Sequence, residues 1–297
     1  MASDYNRGLW LPVRWAHVAA AAVDVVIGPV RRWTLARERR EWAVPMVIGG
    51  LLVLALLPLD GVLYRAMTAG SIGGDVRREL ESLGQYGQLS WSVLGAAVIW
   101  AMDPAKRRRL LDWLLALALV AVVSYASKVL FGRVRPRLLD DGLTSHLTFV
   151  GPVGGHPMGV GEGVVSPWQI GADGVSNLWA MPSSHTSHAV LMSVFVATMY
   201  PRLRTIAVVM AVIVGLSRVV TGAHWPTDVV LGVAVGLACS LRPIRRGWGV
   251  RLLDWIWVRA VDRDAEPAWP GIDPERAEAE AGEAGEGDGQ EIGERPA

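Results

Sequence analysis

A chain of 297 residues that is 52% hydrophobic and only 19% charged is too apolar for a soluble domain of its size and reads as an integral membrane protein. Its formal net charge of +1 conceals an asymmetry, because residues 271–297 carry nine acidic and two basic residues and leave the rest of the chain at about +8. The single cysteine, Cys239, excludes an intramolecular disulfide and a thiolate metal cage, and reads as a small buried hydrophobe.

In chain order, residues 1–42 form a cytoplasmic or interfacial N-terminal segment. Within it the stretch 10–30 is apolar but interrupted by Arg14, His17 and Asp24, which suits a helix lying in the membrane interface better than a spanning one. No hydrophobic segment with a cleavage signature opens the chain, so no removed signal peptide is expected. Six aliphatic runs follow, at 43–59, 84–102, 113–132, 186–200, 205–220 and 225–241, several close to the ~20 residues a helix needs to cross a bilayer. They predict a six-span domain over 43–242. An amphipathic interfacial segment, with tryptophans at headgroup level, is expected over 243–270. The tail at 271–297, rich in Glu, Gly and Ala, is expected to be disordered. The fold class is thus all-α, an integral membrane bundle of six transmembrane helices with an N-terminal interfacial helix and a disordered acidic C-terminal tail.

Orientation follows from the basic residues. Arg31, Arg32, Arg37, Arg39 and Arg40 precede the first span; Lys106, Arg107, Arg108 and Arg109 lie between the second and third. Arg202 and Arg204 lie between the fourth and fifth, and Arg242, Arg245 and Arg246 follow the sixth. With six spans all four clusters share one side, which the positive-inside rule makes cytoplasmic. Both termini are then cytoplasmic in a plasma (inner) membrane, and the loops 60–83, 133–185 and 221–225 face outward. The longest, Gly-rich between 136 and 181, reads as irregular, with His146 and His156 as solvated loop residues and no metal-ligand spacing.

Three of the later runs are each cut by one ionisable residue. Lys128 interrupts the third, Arg218 closes the fifth, and Asp228 lies in the first turn of the sixth. A charge in a spanning helix costs on the order of 3 kcal/mol, so each needs a partner or a task. In the six-span topology all three sit at the outer ends of their helices, level with Arg135, His185 and His224. Any one cation there reads as a snorkelling anchor. Together, Lys128, Arg135 and Arg218 repel one another unless an anion lies between them, and a phosphate fits the arginine forks and the lysine point charge. Ser183 and the backbone N–H groups around Ser184, at the start of the fourth helix, add neutral donors at a dipole end that favours anions.

Binding alone does not need histidines. His224 stands four residues before Asp228 with Pro226 between them, a spacing at which the carboxylate reaches one imidazole nitrogen, fixes the tautomer and leaves the other free to attack phosphorus. His185 is then placed to protonate the leaving oxygen. His188, one turn further on, has no evident partner and reads as structural.

The order Lys128, six residues, Arg135-Pro136; then Pro182-Ser183-Ser184-His185; then Ser217-Arg218, five residues, His224, three residues, Asp228 resembles the three-part signature of the type 2 phosphatidic acid phosphatase (PAP2) superfamily, in its membrane lipid phosphatase branch. The resemblance covers roughly 84–241. It implies that Lys128, Arg135 and Arg218 bind phosphate, that His224 is a nucleophile forming a phosphohistidine, that Asp228 orients it, and that His185 is the general acid. It further implies that Ser183 donates to a phosphate oxygen and that no metal or other cofactor is needed. One departure stands out: the family's second motif reads Pro-Ser-Gly-His, and Ser184 here replaces the glycine, adding a Cβ where the backbone approaches phosphate.

The resulting expectation is a metal-independent hydrolase of a lipid phosphate or diphosphate monoester at the outer membrane face, on substrates such as phosphatidic acid, phosphatidylglycerol phosphate or a polyprenyl diphosphate. The same motifs serve a phosphotransferase that passes the phosphoryl group to another lipid or sugar, or a non-catalytic headgroup binder. The superfamily's soluble vanadium haloperoxidases fit poorly with six spans. The expected partners are the lipid substrate and membrane lipids, with no nucleic acid; nothing in the sequence specifies an oligomeric state.

Overall fold

The computed structural model describes residues 40–69, 73–138, 148–157 and 163–265. The interfacial helix expected over 10–30, the solvated His146 and the disordered acidic tail fall outside these residues. From Trp42 onward the described residues belong to one packing unit; of the unit before it, only the first two residues of helix α1 are described.

Helix α1 (Arg40–Leu56) passes through a 3₁₀ turn at Leu57–Leu59 into α2 (Asp60–Thr68). Then come α3 (Gly74–Gly84), α4 (Leu89–Met102), α5 (Leu110–Phe131), a two-stranded antiparallel hairpin of β1 (His156–Pro157) and β2 (Val164–Val165), α6 (Ser184–Met199), α7 (Arg204–Val220), α8 (Pro226–Arg245) and α9 (Trp248–Ala260). Among the described residues four helical stretches are long and apolar enough to cross a membrane: Glu41–Thr68, Pro104–Phe131, Pro201–Val220 and Pro226–Arg245. Their outward faces are apolar, with Leu54 and Val122 70% and 68% exposed, as lipid-facing side chains would be.

The apolar runs at 84–102 and 186–200 become shorter helices. α4 has 14 residues and α6 has 16, about 21 and 24 Å at 1.5 Å per residue. α4 is short because Gly84 closes α3, a 3₁₀ turn takes Gln85–Gly87, and Gln88 is extended at the N-cap. The loop expected over 60–83 is a correction: most of it is helical, as α2 and the charged, amphipathic α3, and Asp60 is fully buried. A search for apolar runs passes over such a helix, because the sequence of α3, GDVRRELESLG, is mostly charged and polar.

α6 is the hub, packing on α5, α7 and α8. Its close approach to α8 depends on small residues one turn apart, since a Cβ on Gly232 or Gly236 would stand 2.8 Å from the Ser183 or Ser187 carbonyl oxygen. Ser187 Oγ donates to Gly232 O at 3.0 Å across the same seam. Beneath it lies a core of Trp113, Ala116, Val120, Leu191, Phe195 and Ile244. α8 continues three residues past the 242 boundary, and α9 docks on α5 and α8. Asp112 of α5 accepts the Gly249 and Val250 N–H groups at 2.7 and 3.1 Å, so a side chain from another helix satisfies the start of α9.

Candidate active site

Gly132 ends α5 in the left-handed conformation (φ 53°), its N–H donating to Lys128 O at 2.9 Å. A Cβ there would meet the Pro167 ring and Gly151 O, so both conformation and space call for glycine. The chain then runs extended between two others: Val134 N–H donates to Thr148 O (2.7 Å), Ala180 N–H to Arg133 O (3.0 Å), and Arg135 N–H to Asn177 O (2.8 Å). This ladder fixes where Arg133 and Arg135 project.

The second segment is joined to the third through the backbone. Ser183 caps α6, its Oγ accepting from Thr186 N–H (3.4 Å) and Thr186 Oγ1–H (3.0 Å), and its own N–H donates to Asp228 O at 3.0 Å. Ser184 and His185 occupy the first helical turn, both half-buried. The third segment turns back on itself, with the Ala223 and His224 N–H groups both donating to Arg218 O at 3.1 Å. Asp228 in the first turn of α8 accepts the Trp225 N–H at 2.9 Å, half of a capping box. The eight residues picked from the sequence, Lys128, Arg135, Ser183, Ser184, His185, Arg218, His224 and Asp228, thus gather at one end of the bundle.

His224 is 2% exposed and its Nδ1 lies 3.4 Å from Asp228 Oδ2. A carboxylate only accepts, so Nδ1 carries the proton and the Nε2 lone pair is free. Burial holds this imidazole well below its ordinary value, at about 4; the Asp228 hydrogen bond opposes that shift, and the Arg135 and Lys128 cations reinforce it. The guanidinium of Arg135 is also lowered, to about 10, first by burial, then by Arg137 and Arg218, with Asp228 opposing. These couplings show that the cations and the imidazole share one electrostatic environment. Lys128 Nζ donates to Trp179 O (2.6 Å), Arg135 to Ser176 O (3.0 Å) and Ala223 O (3.1 Å), and Arg218 Nε to Ser217 Oγ (3.3 Å). None of the three makes a salt bridge among the described residues. Their partners are neutral acceptors, so positive charge accumulates around a buried neutral imidazole.

Sequence reasoning misses two further residues. Arg133, fully buried, donates through Nη1 to Asp228 Oδ1 (2.6 Å) and through Nη2 to Asp60 Oδ2 (2.5 Å), with the Phe149 ring 4.7 Å from its guanidinium carbon. The signal for Asp60 is present: an acid at the end of an apolar run needs a partner as much as Lys128 does. Arg133 is overlooked because it lies inside the spacing between Lys128 and Arg135. His188, without an evident partner in the sequence, bonds the backbone of Gly87. His156 sits in the hairpin with Nδ1 2.6 Å from its neighbour's carbonyl, Pro157 O. Among the described residues no three His, Cys, Asp or Glu side chains cluster to hold a metal ion.

Comparison with known proteins bears on this end of the bundle. Residues 109–248 match the PAP2 superfamily model. The chain is 35% identical over 68 residues to a lipid A 1-phosphatase of Rhizobium johnstonii, covering 23% of this chain and 28% of that protein. It is 35% identical over 93 residues to a lipid A 1-phosphatase of Rhizobium etli, covering 31% of this chain and 36% of that one. The chain therefore spans about a third of the length of the curated relatives it matches. Among solved structures, Aquifex aeolicus LpxE gives a TM-score of 0.46 at 15% identity, covering 63% of this chain and 95% of that one. The transmembrane PAP2-type phosphatidylglycerolphosphate phosphatase of Bacillus subtilis gives 0.49 at 19% identity, covering 72% and 98%. All eight residues fall inside the stretch, residues 109–248, that is similar to the PAP2 superfamily.

Proposed function

We propose that this chain is a membrane phosphatase that hydrolyses a lipid phosphate or diphosphate monoester through a phosphohistidine on His224. The observation that carries the reading is the grouping of Lys128, Arg135 and Arg218, none salt-bridged among the described residues, around a histidine whose other nitrogen is turned to Asp228. The relatives in the two Rhizobium species act on a phosphorylated lipid by name, which supports a lipid substrate here.

In the mechanism, the three cations bind the phosphoryl oxygens, with Ser183 Oγ–H and the N–H groups at the start of α6 as neutral donors. His224 Nε2 attacks phosphorus; a P–N bond forms as the ester P–O bond breaks, and His185 gives its proton to the leaving oxygen. Asp228 balances the charge that develops on the imidazole. Water, losing a proton to His185, then attacks the phosphohistidine, releasing phosphate and restoring His224.

We further infer six spans, with α4 and α6 as the two short members; on that reading the positive-inside rule supports an extracytoplasmic face for this end of the bundle, with the lipid tail left in the bilayer. The test is phosphate release by detergent-purified protein, with EDTA present, from phosphatidic acid, phosphatidylglycerol phosphate and undecaprenyl diphosphate. Release by wild type and not by His224→Ala supports the reading; no release from any of them shifts it to phosphotransfer or headgroup binding.

A further inference from the structure

Beyond the histidine and its carboxylate lies a buried charge group that the roles above do not use. Asp60, Arg133 and Asp228 are all 0% exposed and come from three places: the start of α2, the ladder after α5, and the first turn of α8. Every carboxylate oxygen is engaged. Asp228 Oδ1 accepts from Arg133 Nη1 (2.6 Å), and Oδ2 from Trp225 N–H (2.9 Å) with His224 Nδ1 at 3.4 Å. Asp60 Oδ1 accepts the Thr227 N–H (3.0 Å), and Oδ2 accepts from Arg133 Nη2 (2.5 Å) and from the Thr227 hydroxyl. Thr227 Oγ1 in turn accepts from Arg133 Nη1 (2.7 Å).

Two carboxylates on one guanidinium leave this buried group with an excess negative charge. A structural ion pair would be neutral, and buried pairs often stabilise a fold no more than packed apolar side chains do. The excess faces His224 Nδ1, the atom that gains positive character when Nε2 is protonated or phosphorylated. We propose that Asp60, which lies outside the matched PAP2 stretch, acts through Arg133 as a positioning residue that sets the charge and orientation of Asp228 toward His224. This rests on the reading of His224 as the nucleophile. Without Asp60 the whole Arg133 charge falls on Asp228, which then stabilises a charged imidazole less. The other charged or titratable groups around His224 are Lys128 from α5, Arg135 from the ladder, His185 from α6 and Arg218 from α7; they stay in place in the variants below.

The net charge of the trio can be stepped. Asp60→Asn, nearly isosteric, brings it to zero; Arg133→Gln takes it to two negative charges; the double variant restores one. The experiment is an NMR titration of the histidine-labelled full chain in detergent, with the His224 resonance assigned by its loss in His224→Ala, run beside the pH profile of phosphate release from dioctanoyl phosphatidic acid. The His224 midpoint falls by about one pH unit in Asp60→Asn, rises by a similar amount in Arg133→Gln, and returns in the double variant. The acid limb of kcat/KM follows it, with kcat reduced in Asp60→Asn and KM near wild type. An unmoved midpoint in folded Asp60→Asn overturns the proposal, and that variant decides the matter alone if Arg133→Gln fails to fold. Midpoints that shift in a protein whose wild type releases no phosphate leave the positioning role standing and remove the hydrolysis reading.

Discussion

The two ends of α5 bury charge in similar ways and to different effect. At one end Asp112, fully buried, accepts the first N–H groups of α9 and pairs with Arg109 at 3.0 Å, while Arg108 reaches Asp254 at 2.8 Å. At the other, Asp60 and Asp228 accept N–H groups at the start of α8 and share Arg133. Each end thus docks a helix through an aspartate that satisfies its orphan donors. The difference lies in what stands beside the dock. Around Asp112 the arginines meet carboxylates; around Asp228 three cations meet only neutral acceptors, and a histidine shares the carboxylate. The same device serves assembly at one end and, on the function proposed above, supports an anion site at the other, where cations are left over.

Substitutions at the two ends should separate cleanly. Replacing His224 with Ala is expected to lower phosphate release on the order of 10⁴-fold or more while lipid binding persists, as measured by turnover and equilibrium binding. Comparable turnover in that variant would break the contrast at its centre. Arg218→Ala is expected to cost about 10²–10³-fold, and to weaken competitive inhibition by vanadate in inhibition assays. At the far end, Asp112→Ala should destabilise the protein by about 3 kcal/mol in detergent unfolding, by stranding Arg109 and the start of α9, and leave kcat per folded molecule unchanged. A matching loss of kcat there would show that the two ends do not divide the work. The pH profile bears on the same point: in the proposed mechanism the unprotonated His224 is the reactive form, and burial holds its folded value at about 4. The acid limb of kcat/KM should therefore lie near pH 4, with activity retained at pH 5 and lost as pH falls further, where an ordinary histidine would fail near 6.5. The smallest effect is expected for Ser184→Gly, within about threefold in kcat, because Ser184 sits half-exposed on the first turn of α6 and keeps its N–H.

How far this could be read from the sequence depended on spacing. Lys128, Arg135, Arg218, His224 and Asp228 are legible because a charge in or beside an apolar run has few bland explanations, and because i,i+4 geometry ties a histidine to a carboxylate before any fold is known. The long apolar runs likewise mark α1, α5, α7 and α8. Asp60 is not legible in the same way. Its partner Arg133 is 73 positions away, and local spacing says nothing of a contact that exists only once α2 packs on α8. α3 escapes for another reason: its sequence, GDVRRELESLG, is helical by propensity and charge pairing, so a search for hydrophobic length returns a loop. The glycines at 84 and 87 are similarly silent in sequence, yet they allow this region to lie against Arg218 and the His185 backbone, where a Cβ would stand 2.6 and 2.3 Å away.

Whether His224 carries the phosphoryl group is decided by quenching the protein with phosphate-labelled lipid during turnover and mapping the label by mass spectrometry under alkaline conditions that preserve a phosphoramidate. Label is expected on the peptide containing His224, absent in His224→Ala and accumulated in His185→Ala when the leaving group needs no proton. Steady release of phosphate with no label on that peptide, or label on another residue, would contradict a phosphohistidine on His224.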